Sequence, residues 1–208
     1  TKPKDNFISH IPINFYQIKN TSNVNLVGKW FYSSLKNKSN EQLVFLIMFK
    51  GKKILITGGT GSLGQSLTKR LLKTDADTIR IFSRNESKQV EMESKFNDDR
   101  LRFFIGDIRD QSRLIRATED IDIVFHAAAL KHVPVMEYNP FEGIQTNVVG
   151  SQNVIDACIH ENVEVSVGVG TDKAVSPLNT YGATKLLMEK LFVAAHNYVH
   201  APRHKTKF

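Results

Sequence analysis

From Lys53 to Val199 the chain alternates between two patterns of apolar and polar positions. Short apolar runs read as strands buried on both faces: Ile54–Thr57, Ile79–Ser83, Leu101–Ile105, Ile123–Ala127 and Val163–Val169. Between them lie stretches with helical spacing, about Ser62–Lys73, Glu86–Phe96, Gln111–Thr118, Pro140–Asn162 and Thr180–Val199. Pro140 suits a first helical turn. Strands that alternate with helices predict an α/β fold, a doubly wound parallel sheet with helices on both faces. No internal repeat of solenoid period is present.

The two ends break this pattern. Residues 1–47 are rich in Asn, Ser and Lys and keep no sustained period. Met48 precedes Phe49-Lys50-Gly51-Lys52-Lys53, a usual lead-in to a first strand. The domain is therefore expected over 48–200, with 1–47 an irregular leader that adds no function. The alternative is an N-terminal arm that docks on a partner. Residues 201–208 read as an irregular basic tail.

Composition refines the picture. The formal net charge is +7, which first suggests nucleic acid or a membrane surface. Its distribution argues otherwise. Residues 1–47 hold six Lys and two acidic residues, the tail adds Arg203, Lys205 and Lys207, and residues 48–200 hold 19 basic and 19 acidic side chains. A neutral domain gives no reason to expect a nucleic-acid partner. Cys158 is the only cysteine, which excludes an intrachain disulfide and suits a small core residue in a reducing, cytoplasmic setting. The apolar run Leu43–Phe49 is too short to span a bilayer.

Candidate chemistry starts at the end of the first strand. Thr57-Gly58-Gly59-Thr60-Gly61-Ser62-Leu63-Gly64 leads directly into the first helix. Gly58, Gly61 and Gly64 permit a tight turn, close backbone approach to a pyrophosphate, and close helix–strand packing. The helix N-terminus adds free amides and a positive dipole end. No Gly-Lys-Ser/Thr follows, which argues against a P-loop. After the second strand an NAD site usually carries an acidic residue for the ribose 2′-hydroxyl. Here Ser83 and Arg84 stand instead, and a hydroxyl with a guanidinium suits a 2′-phosphate. NADP is therefore expected over NAD. Asp107, after the third strand, is a candidate for the adenine amino group or for a helix cap, although Asp110 fits the cap better. Ala127, Ala128 and Ala129, after the fourth strand, leave room for a nicotinamide ribose.

The second cluster lies near the end. Thr171-Asp172-Lys173 stands eight residues before Tyr181-Gly182-Ala183-Thr184-Lys185. Tyr181 and Lys185, at i and i+4, share one helical face. An ammonium beside a phenol favours the phenolate, so this Tyr is suited to take a proton from a hydroxyl while a cofactor takes a hydride. Taken alone, a Tyr-x-x-x-Lys spacing also fits a solvated helix. His126 and His132 read as structural, since no third metal ligand has suitable spacing. Lys131 either faces a substrate or is a solvated loop lysine. Asn147 either orders a water or backbone group near the site or packs a helix.

Together these residues resemble the extended short-chain dehydrogenase/reductase superfamily. They are most similar to the inverting UDP-N-acetylglucosamine 4,6-dehydratases and their polysaccharide-biosynthesis relatives. The similarity is carried by Ile56–Gly64, Phe82–Glu86, Phe96–Asp98, Gly106–Asp110, His126–Pro134, Thr146–Gly150, Thr171–Ala174 and Tyr181–Lys185. It implies a Rossmann fold, with Gly58, Thr60, Gly61, Ser62, Leu63, Gly64, Ser83, Arg84, Asp107, Ile108, Ala127, Ala128, Ala129, Tyr181 and Lys185 against the cofactor. It also implies a UDP-sugar substrate near Lys131 and Asn147, no metal, and homo-oligomers among full-length members. Tyr181 would deprotonate the hydroxyl on sugar carbon 4. Thr171 would hydrogen-bond the same oxygen, and Lys185 would hold the nicotinamide ribose. Lys173 would take the carbon-5 proton, and Asp172 would assist loss of water from carbon 6. Related retaining dehydratases carry Glu at the place of Lys173, so the lysine points to inversion. A lysine base has to be neutral, which asks for burial or a nearby cation. Epimerisation is the nearest enzymatic alternative. The similarity fades near Val199, so the family's C-terminal substrate-binding region is expected to be missing. The chain would then be less stable than a full enzyme, or a remnant that only binds the cofactor.

Overall fold

Five parallel strands in the order β3-β2-β1-β4-β5 form the sheet of the computed structural model, which describes residues 46–199 and 205–208. The strands are β1 (Lys53–Thr57), β2 (Thr78–Ser83), β3 (Leu101–Ile105), β4 (Ile123–His126) and β5 (Val165–Gly168). They differ from the expected runs by a residue or two at the ends. Residues 46–208 form one unit by contact. The expected leader falls almost wholly outside the described residues.

Alternation along the strands makes two apolar faces. Leu55, Phe82 and Val124 join one core with Leu114 and Ala117 of α3 (Gln111–Thr118) and with Val154, Ala157 and Cys158 of α6 (Gly150–His160). Ile54, Ile56, Ile79 and Ile81 point to the opposite face. There Leu71 of α1 (Ser62–Leu71) and Met92 of α2 (Glu86–Phe96) are also fully buried. The doubly wound architecture follows from this two-sided burial. Asn85 caps α2 by accepting from the Lys88 amide, and Asp110 caps α3 by accepting from the Arg113 amide.

The stretch expected as one helix over Pro140–Asn162 is divided. After a short α4 (Val133–Tyr138), which has no signal in the hydrophobic pattern, come α5 (Pro140–Ile144), a π-helical turn (Gln145–Val149) and α6. A π turn holds one residue more than an α turn and re-aims the side chain within it. The last helix, α7 (Thr180–Tyr198), is capped by Asn179, whose side chain accepts from the Gly182 amide.

The end of the chain contacts the domain more closely than an irregular tail implies. Lys207 pairs in parallel with Val165 on the free edge of β5: its amide donates to Glu164 O, and its carbonyl accepts from the Ser166 amide. Thr206 is buried, and Phe208 meets Phe192 edge-on at 5.9 Å. Arg203, Lys205 and Lys207 give this segment a basic look that hides the contact from a reading of the pattern alone. Phe208→Ala is expected to cost about 2 kcal/mol of stability in a urea titration, less than a fully buried Phe because one side of the ring is open. Among the described residues no helix is long and apolar enough to cross a membrane.

Candidate active site

The candidate side chains sit at the carboxyl ends of the strands, where a doubly wound sheet binds ligands. At the end of β1 the chain turns through Gly58 with φ +68, and the Gly58 amide donates to Phe82 O of β2 at 2.8 Å. A Cβ at Gly58 would lie 2.7 Å from the Ala128 backbone, and one at Gly64 would lie 2.5 Å from Gly59 Cα. Gly61 is the N-cap of α1 and supplies no side-chain cap. The first-turn amides over Ser62, Leu63 and Gly64 are thus left for an outside acceptor. Thr60 is buried beside them, and its carbonyl accepts from Gln65. The turn therefore fits a dinucleotide pyrophosphate on its own geometry.

At the end of β2 the Ser83 hydroxyl accepts from Gln89 Nε2 at 3.0 Å, which leaves its own proton to donate. Arg84 is half-exposed, with Nη1 3.6 Å from Asp107 Oδ2. Asp107 accepts from Arg109 Nε at 2.9 Å and Nη2 at 2.7 Å. Burial pushes the Asp107 carboxyl up, but the Arg109 bonds and the Arg84 charge outweigh it and hold it below the ordinary carboxylate range. Arg84, Ala129, Lys131, His132, Met136 and Glu142 line a groove of about 420 Å³. Ala127, Ala128 and Ala129 are half-buried beside the glycine turn.

The second cluster is built on α7. Thr171-Asp172-Lys173 enters a 3₁₀ turn (Asp172–Ala174) whose N-cap is Thr171. The Thr171 hydroxyl donates to Asp172 Oδ1 at 3.1 Å, and its amide donates to Glu189 Oε1 of α7 at 3.3 Å. Any Cβ at Gly182 would overlap the Lys173 carbonyl oxygen, so that glycine lets the triplet lie against the residue next to Tyr181. Tyr181 is half-buried. Lys185 is buried, and its ammonium donates to Val169 O and to Met188 Sδ. Burial lowers its pKa to about 8, partly offset by the Glu189 charge. Lys185→Met is expected to raise stability by about 2 kcal/mol, because it removes a desolvated charge, while weakening dinucleotide binding. Paired urea and ligand titrations check both arms.

A profile of the polysaccharide biosynthesis protein family matches residues 54–208. The chain belongs to this family. The chain is 58% identical over 151 residues to a UDP-N-acetylglucosamine 4,6-dehydratase (inverting) of Campylobacter jejuni, covering 72% of this chain and 45% of that protein. It is 48% identical over 151 residues to a UDP-glucose 4-epimerase of Rickettsia felis, covering 71% of this chain and 44% of that one. A solved dTDP-glucose 4,6-dehydratase of Streptomyces venezuelae, with NAD and TYD bound, aligns at 26% identity and a TM-score of 0.65, over 70% of this chain and 52% of that one. The chain spans less than half the length of the curated relatives it matches. The family match runs through Phe208, past the point near Val199 where the sequence motifs fade.

Within the polysaccharide-biosynthesis fold, several expected site residues can be placed. The Ile108 side chain is 4% exposed and packs where Gly150 of α6 leaves room. Asn147 is 1% exposed, and its carboxamide is already used. Oδ1 accepts from the Leu130 amide, and Nδ2 donates to Leu130 O and to Thr184 Oγ1. It ties the Leu130 backbone to α7, the ordering of a backbone group that was one of its expected roles. Lys131 is exposed on the groove. Lys173 is half-exposed, 3.7 Å from Asp172 Oδ1, so the burial that a neutral lysine base asks for is not met among the described residues. The Asp172 carboxyl is held below its ordinary range, first by the Thr171 hydroxyl and then by the Lys173 charge.

Sequence reasoning missed several residues. Glu189, Gly182 and Gln89 each hold a site residue in place, and only three-dimensional contact reveals them. His126 is fully enclosed: Nδ1 lies 2.7 Å from Thr57 Oγ1, and Nε2 lies 2.9 Å from Ser151 Oγ. Among the described residues no group of His, Cys, Asp or Glu could hold a metal ion.

Proposed function

We propose that this chain carries the dinucleotide-binding and catalytic half of an NADP-dependent nucleotide-sugar 4,6-dehydratase. It would act on UDP-N-acetylglucosamine with inversion at carbon 5, in cytoplasmic synthesis of a surface polysaccharide or glycan precursor. The observation that carries this reading is the Thr171–Lys173 turn pinned to α7 beside Tyr181 through Gly182 and Glu189. A plain dehydrogenase needs the Tyr–Lys pair; the added carboxylate and amine on the same side suit removal of water. The similarity to the Campylobacter dehydratase supports the same reading.

The glycine turn and the first-turn amides of α1 would hold the pyrophosphate, and Ser83 with Arg84 would hold a 2′-phosphate. Lys185 would hold the nicotinamide ribose. A nicotinamide held there would supply hydride chemistry, with the hydride drawn from sugar carbon 4 and given back at carbon 6. Tyr181 takes the proton of the carbon-4 hydroxyl, with Thr171 turning its hydroxyl proton from Asp172 to the same oxygen. Lys173 then takes the proton that the new ketone has acidified on carbon 5. Asp172 delivers a proton to the departing carbon-6 hydroxyl, and as carbon 6 regains a hydride, carbon 5 regains a proton from solvent on the face opposite Lys173, which gives the inversion. Both residues need water excluded to reach those protonation states, and the sugar itself would cover them.

Incubation with UDP-N-acetylglucosamine and NADP, followed by mass spectrometry, tests the reading. Loss of one water supports it. An isobaric product would mean epimerisation, in line with the Rickettsia relative. An unchanged sugar with bound NADP would leave a chain that only binds the dinucleotide. The cofactor is tested separately: Arg84→Ala is expected to weaken NADP binding about tenfold or more while changing NAD binding little. Equal losses for the two would overturn the preference.

A further inference from the structure

The charges at the ends of β2 and β3 form an alternating chain: Arg84, Asp107, Arg109, Glu142. Arg109 grips Asp107 Oδ2 through both Nε and Nη2, its own amide donates to Oδ1 at 3.0 Å, and its Nη1 donates to Glu142 Oε2 at 2.9 Å. Arg84 stands 3.6 Å from the same Oδ2, beyond hydrogen-bond length. One carboxylate thus faces two guanidiniums, and the closer one satisfies it.

We propose that Arg109 is a specificity-determining residue: by neutralising Asp107 it leaves Arg84 free to take the 2′-phosphate of NADP. Without Arg109 the bare carboxylate would draw Arg84 onto itself and repel an incoming phosphate dianion. NAD carries no 2′-phosphate and would not sense the change. Glu142 contributes by anchoring the far side of the Arg109 guanidinium, which fixes its fork against Asp107. The inference rests on the cofactor reading above, since it concerns how that preference is set.

Fluorescence titration of the full chain with NADP and with NAD tests it. Arg109→Gln is expected to lower the ratio of NADP to NAD affinity about tenfold at low salt, and less at high salt. Arg109 is partly exposed on a loop, so thermal melting should show the variant folded. In the double variant D107N/R109Q the repelling carboxylate is also gone, and the ratio should return to within about threefold of the wild type. Loss of an adenine contact at Asp107 would weaken both dinucleotides alike and leave the ratio untouched. A wild type with no preference for NADP would overturn the cofactor reading and this inference with it. A preference that persists in R109Q would overturn this inference alone. So would a double variant that stays as low as R109Q, for then Arg109 acts simply as a second cation toward the phosphate.

Discussion

Gly64→Ala is expected to lower stability by about 3 kcal/mol or more and to abolish dinucleotide binding, whereas Gly61→Ala should leave the fold intact. The two glycines belong to the same turn but do different things. A methyl at Gly64 would sit 2.5 Å from Gly59 Cα and 2.6 Å from its carbonyl carbon. These are backbone atoms at the carboxyl end of β1, so no side chain can swing away. Either α1 slides off the sheet or the turn opens, and both disturb the core around Leu71, which is fully buried. At Gly61 the added methyl meets only Gly58 O, at 3.2 Å, and the backbone there has an ordinary extended conformation with φ −74. Its cost would fall on the ligand, since the methyl stands where a pyrophosphate must approach the helix amides. Urea denaturation and NADP titration of both variants separate the effects. Equal stability losses at the two positions would overturn the division of roles.

That division was legible in the sequence, because three glycines at this spacing, after a strand and before a helix, each meet a separate steric demand of the turn. The strand–helix alternation and the two-faced burial were legible for a similar reason: apolar runs and helical spacing both record which side of an element meets the core. The π turn at Gln145–Val149 was not, because an extra residue in a turn barely changes the hydrophobic pattern while it redirects Asn147 onto Leu130. The true partners of Asn147 depend on the loop after β4 and on Thr184, seventeen and thirty-seven residues away, and no local spacing encodes them. Lys207 was hidden differently. A single paired residue at a chain end has no period to detect, and it is itself a lysine, with Arg203 and Lys205 shortly before it. The Thr171–Lys173 triplet could be named as a candidate from residue types, but the half-exposure of Lys173 came from the fold alone.

Stability is expected to fall by about 2 kcal/mol as pH drops from about 6.5 to 4.5, through His126. The hydrogen bonds fix its state. Ser151 donates its only hydroxyl proton to Asn147 O at 2.6 Å, so Nε2 must be the donor to Ser151 Oγ. Nδ1 is then the acceptor, and the Thr57 hydroxyl donates to it. The ring is neutral and its neighbours have no place for a second proton. Burial, with the Lys185 charge second, lowers its pKa to about 3. In the unfolded chain the same ring titrates near 6.5. Above that pH both states are neutral and His126 adds no slope. Below it the unfolded state gains a proton that the folded state refuses, so folding weakens until pH approaches about 3. Under roughly pH 4.5 the carboxylates held low by partners, such as Asp98 and Asp107, begin to add their own losses, so the upper window isolates the histidine. His126→Gln should be less stable than the wild type at about pH 7.5 yet nearly flat between roughly pH 6.5 and 4.5. A slope that survives in this variant would place the proton elsewhere. The consequence reaches the site, because the same bonds join Thr57 at the glycine turn, through Ser151 and Asn147, to Thr184 on the helix of Tyr181. Because the folded ring refuses the proton until about pH 3, acid should reach dinucleotide binding only by unfolding the chain: across about pH 6.5 to 4.5 NADP binding should fall in step with the folded fraction, and a loss ahead of unfolding would place the titrating group elsewhere.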